Sequence, residues 1–116
     1  MSSEKLSSLH REINSLLGLS AAAYRDYLEG GKTFRHALIL RQHNDNLQQL
    51  LSTHLPELPV HLQADANALI DHYRAWTIKW EELKQSRNPL PGDEFVFEND
   101  HRFPREAANR IIQLVI

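Results

Sequence analysis

The chain has 116 residues, 41% hydrophobic and 24% charged, with a net charge of −2 at pH 7. That is the size and balance of one folded domain, and the lack of a basic excess argues against general nucleic-acid binding, which rests on neutralising phosphates. Cysteine is absent, which removes thiol catalysis, disulfides and thiolate metal sites. No apolar run approaches the ~20 residues of a membrane span, and the first residues hold no apolar core of signal-peptide length. The expected location is the cytoplasm.

The first predicted helix covers residues 3–29. Ser2 or Ser3 can cap it, with Glu4 favourable in its first turn. Its stripe is Leu6, Leu9, Ile13, Leu16, Ser20, Ala23 and Tyr27, with gaps alternating between three and four as on one face of a helix. Gly18 and Ser20 weaken its middle. Ser20 could cap a second piece and introduce a bend. Gly30 and Gly31 end the element, since glycine favours the position just past a helix.

The second helix is expected over 33–54, with Thr33 as its cap and the Leu55-Pro56-Glu57-Leu58-Pro59 run as its stop. Its stripe is Ala37, Leu40, Asn44, Leu47 and Leu51. Asn44 falls in the seam, where a polar residue can fix register. A small rotation leaves it at the edge, and that is the expected arrangement.

The third helix, over 62–86, carries both tryptophans. Leu62, Ala66, Leu69, Tyr73, Trp76, Trp80 and Leu83 form an unbroken seven-residue repeat, widened by Ile70 and Thr77. Each tryptophan can bury about 200 Å², so this helix is expected to supply the largest share of the core. Its other face carries Asp65, Asp71, Arg74, Lys79, Glu81, Glu82 and Lys84, which suits water. Glu81 and Glu82 are expected to pair with Lys79 and Lys84.

A stiff Pro89–Pro91 loop follows. Residues 93–100 then alternate in polarity, which places Phe95 and Phe97 on one side of an extended segment. Pro104 opens a last short helix over 104–115, suited to the first turn. Together these elements predict an all-α fold: a single domain over 1–116, built as an antiparallel three-helix bundle with an extended Phe-rich segment and a short C-terminal fourth helix.

No motif names a reaction. The seven histidines include no HExxH pattern, and His36 and His43 are about 10 Å apart along a helix, too far for one ion. His54 and His61 flank the proline loop and could approach one another. No catalytic residue, metal ligand or cofactor is assigned. The expected function is a non-enzymatic protein–protein interaction module (an adaptor, regulator or dedicated chaperone). Its partner is another protein or a second copy of the chain, gripped through Phe95, Phe97, Phe103, Ile112 and Val115. The alternative is a nucleic-acid-binding regulator using a local basic patch of Arg35, Arg41, Arg102, Arg105 and Arg110, with Lys32 nearby. A histidine-based metal-binding protein or enzyme comes third. The C-terminal third is either wrapping for the bundle or an interface.

Overall fold

Heptad-spaced stripes on long segments drive helix pairing here, and the computed structural model, which describes residues 3–97 and 102–114, shows the result. Helix α1 is Ser3–Glu29, α2 is Phe34–His54, α3 is Val60–Arg87 and α4 is Arg105–Ile112, with a 3-10 turn at Leu55–Glu57. The fold is all-α: α1, α2 and α3 run as an antiparallel three-helix bundle, with α4 as a short fourth helix. α2 packs against both long neighbours, and α4 docks on α3 and α1. The bundle is a rod 47 Å long and 21 Å across. Among the described residues no helix is long and apolar enough to cross a membrane.

The α1–α2 turn depends on two glycines for different reasons. Gly31 sits at φ 87°, in the left-handed region that side chains avoid. Gly30 lies under the His36 ring, where a Cβ would come within 2.4 Å of a ring carbon. Thr33 then caps α2 through its hydroxyl, which accepts from the His36 N–H. The free N–H groups of a helix start need acceptors, and a distant loop supplies two of them. Phe34 N–H donates to Asp93 O at 2.8 Å and Arg35 N–H to Pro91 O at 3.0 Å. Phe95 N–H bonds Lys32 O at 2.8 Å, and the Tyr27 hydroxyl donates to Phe95 O. The segment after α3 is thereby sewn to the turn between α1 and α2. It makes one isolated antiparallel bridge, Thr33 with Glu94, because its neighbour is a turn rather than a strand.

The core has two halves. An aliphatic half joins Leu9, Ile13 and Leu17 of α1 with Leu47 and Leu51 of α2, Leu62, Leu69 and Tyr73 of α3, and Ala108 and Ile111 of α4. An aromatic half joins Phe34, Ala37, Trp80 and Phe95, with Tyr27, Trp76 and Phe97 packed against it. Phe95 stands 5.1 Å from both Phe34 and Trp80, ring centre to ring centre. The side of Trp80 carries the Arg41 guanidinium at 4.6 Å.

Several sequence expectations are corrected. α1 is continuous, since Ser20 spends its hydroxyl on Asn44 rather than on a cap. Asn44 is not at the edge: it is 5% exposed, in the seam. Asp65 does not face water but is buried, in a bidentate pair with Arg110 at 2.8 and 2.9 Å. Glu81 pairs with Arg41 across to α2. α3 begins two residues before its expected start, and α4 ends at Ile112. The expected Asp93–Asp100 extended segment runs into residues 98–101, which lie outside the described residues, as does Val115.

Candidate functional site

α4 is eight residues long and α3 is 28, so α4 can roof only part of the furrow between α1 and α3. The rest stays open as a groove of about 580 Å³, within the range of ligand sites in proteins. Its α1 wall is Leu17, Ala21, Tyr24, Arg25 and Tyr27, and its α3 wall is His72, Tyr73, Trp76 and Trp80. Ala37, Leu40 and Asn44 of α2 contribute with Ser20, and Phe97, Arg102, Phe103 and Arg105 close the remaining side. Phe103 is set by edge packing on His72, 5.4 Å between centres.

The groove lies where the two halves of the core meet, and a polar cluster marks that junction. Ser20 lies between Leu17 and Tyr27 along α1, and its hydroxyl donates to the Asn44 Oδ1 at 2.5 Å. The Tyr73 hydroxyl bonds with Ser20, and burial pushes its pKa up to about 12 despite that bond. It therefore stays a protonated donor throughout the physiological range. The Ser20 contact is structural in its chemistry, because an amide oxygen cannot take the hydroxyl proton as a general base would. Trp80 has its Nε1 buried with no acceptor among the described residues, so contacts of its ring, with Phe34, Phe95 and the Arg41 guanidinium, hold that side chain.

Among the described residues the charged side chains at the groove are of one sign. Arg25, Arg102 and Arg105 line it, all exposed, and no carboxylate does so among the described residues. Nor does any of the three make an ion pair with a described carboxylate. A shallower depression on the opposite flank of α1 has the reverse character, with Asp26, Glu29 and His36 around Gly30. No three potential metal ligands cluster among the described residues.

The two residue sets expected from the sequence are rearranged. Phe95 is 0% exposed and part of the intramolecular core, so it is unavailable to a partner in this fold. Phe97 is half-buried on Trp76 at 5.9 Å and lines the groove. Phe103 and Ile112 are each 44% exposed, but only Phe103 reaches the groove. Of the five arginines, Arg41 is engaged by Glu81 and Asp45, and Arg110 by Asp65. Only Arg102 and Arg105 come together at the groove, while Arg35 sits exposed at the start of α2. No single basic patch of five forms.

Comparison with protein-family models, curated proteins and solved structures finds no match. Sequence reasoning missed Tyr24 and Arg25, which fall outside the apolar stripe of α1. It also missed the Ser20–Asn44 pair, for which a signal existed. Both are polar residues in apolar stripes, and each lies twelve positions from Lys32 in the turn (32 − 20 and 44 − 32). In an antiparallel hairpin of helices that equal spacing brings them face to face.

Proposed function

We propose that this chain is a non-enzymatic protein-interaction module, and that it grips a segment of a partner protein in the groove between α1 and α3. The observation that carries this is the set of half-open aromatic walls. Tyr24 and Phe103 stand 45% and 44% exposed at the lip, with Trp76 and Phe97 deeper. Binding energy at protein interfaces concentrates where a few bulky side chains enter desolvated aromatic pockets. A groove of this volume accommodates one or two such anchors. The other exposed apolar side chains, including Val60, Leu90 and Ile78, do not line the groove, and single exposed apolar residues are ordinary on any surface.

A photo-reactive phenylalanine analogue at position 24 or 103, compared with one at 38 or 78, tests the reading in cell extract. The expected outcome is a discrete protein adduct at 24 and 103 that Ala21→Trp abolishes by filling the groove. Adducts at 38 or 78 that Ala21→Trp leaves intact would place binding elsewhere. Adducts only to the chain itself would make the occupant a second copy.

A further inference from the structure

We infer that the groove selects an acidic segment: bulky apolar side chains flanked by aspartate or glutamate. This inference rests on the protein-interaction reading above and specifies the partner's chemistry. Its basis is the charge asymmetry of the site. The chain carries two more acids than bases, yet the groove shows three arginines and no described carboxylate. Arg41 and Arg110 show the contrast, since both are neutralised by carboxylates of the fold itself. Arg25, Arg102 and Arg105 come from two separate stretches of chain and still meet at one opening. Guanidinium groups at the rim of an aromatic pocket bond carboxylates with two parallel N–H groups while the pocket takes the apolar anchor. The polarity therefore sets partner choice and approach as well as affinity.

A nucleic acid would also present anions and stackable rings. It fits less well, because it needs a basic track longer than a single opening. Arg41 and Arg110 are already engaged by carboxylates of the fold, and the α1 flank beyond the groove holds Asp26 and Glu29.

The test is selection of a random twelve-residue peptide library on the full chain, with Ala21→Trp and Arg102→Glu/Arg105→Glu chains selected in parallel. Because both arginines are exposed, their replacement leaves the core intact, and circular dichroism checks this. The expected result is enrichment of peptides with Phe, Trp, Leu or Ile beside Asp or Glu. Their affinity should fall at least tenfold on the double glutamate chain and be lost on Ala21→Trp. Apolar peptides without an acidic bias, insensitive to the arginine replacement but blocked by Ala21→Trp, would overturn this inference and leave the groove reading standing. Enrichment that Ala21→Trp does not affect, or no enrichment, would overturn both. A twelve-nucleotide thymidine strand binding more tightly than every selected peptide, with affinity falling steeply as salt rises, would also overturn both in favour of nucleic acid.

Discussion

At the scale of single residues, Phe95 and Phe103 make the clearest contrast. Both are phenylalanines of the C-terminal third, eight residues apart (103 − 95), and both are expected from the sequence to grip a partner. One is enclosed by Phe34 and Trp80, the other sits on the lip of the groove. Phe95→Ala should therefore cost about 3–5 kcal/mol, the range for deleting a buried aromatic side chain, measured by urea unfolding. Phe103→Ala should cost far less stability and weaken binding of groove-selected peptides. Equal stability losses would contradict the placement of either residue. Asn44 gives a second test. Removing its side chain leaves the Ser20 hydroxyl buried without its acceptor, so Asn44→Ala should cost about 1–3 kcal/mol. An edge residue, the arrangement expected from a small rotation of the helix, would cost a few tenths.

At the scale of elements, α4 is held by contacts that no local sequence pattern announces. The carbonyl oxygens of Ile111 and Ile112 lie 2.9 and 3.1 Å from His10 Nε2, within hydrogen-bond reach of the ring. Arg110 holds the Asp65 carboxyl below its ordinary value, chiefly through their hydrogen bonds. A depressed carboxyl stabilises the fold at pH values above its unfolded pKa, about 3.9. The contribution is lost as pH falls through the native value. The melting temperature of the wild-type chain should thus exceed that of Asp65→Asn at pH 6, and the gap should close below about pH 4. A gap constant from pH 6 to pH 3 would mean that the charge is idle. Gly31→Ala should cost about 1–2 kcal/mol for placing a side chain at positive φ, measured by the same unfolding curves.

Across the whole molecule, the helices were legible because their stripes are long and regular, and Thr33, Gly30–Gly31 and the prolines punctuate them. The bundle follows from that alone. The site was not legible, because its walls come from four helices and a loop. Their meeting depends on the segment after α3 bonding the α1–α2 turn, as in Phe34 N–H to Asp93 O. Those are backbone contacts, and no side-chain pattern encodes them. The same contacts decide what the C-terminal third is. It completes the core with Phe95, Ala108 and Ile111, and in doing so it shapes the groove. A chain ending at Gly92 should accordingly lose cooperative unfolding, seen as a broad, shallow urea transition. A folded, cooperative truncated monomer would mean that the segment is an appendage.

The most direct test of the groove as binding site is amide hydrogen exchange of the full chain with and without a groove-selected peptide. The account predicts slowed exchange in residues 17–27 and 72–80, with residues 48–54 of α2, which line no part of the groove, unchanged. Protection confined to the outer side of α2, or to the α1 flank around Asp26 and Glu29, would contradict it.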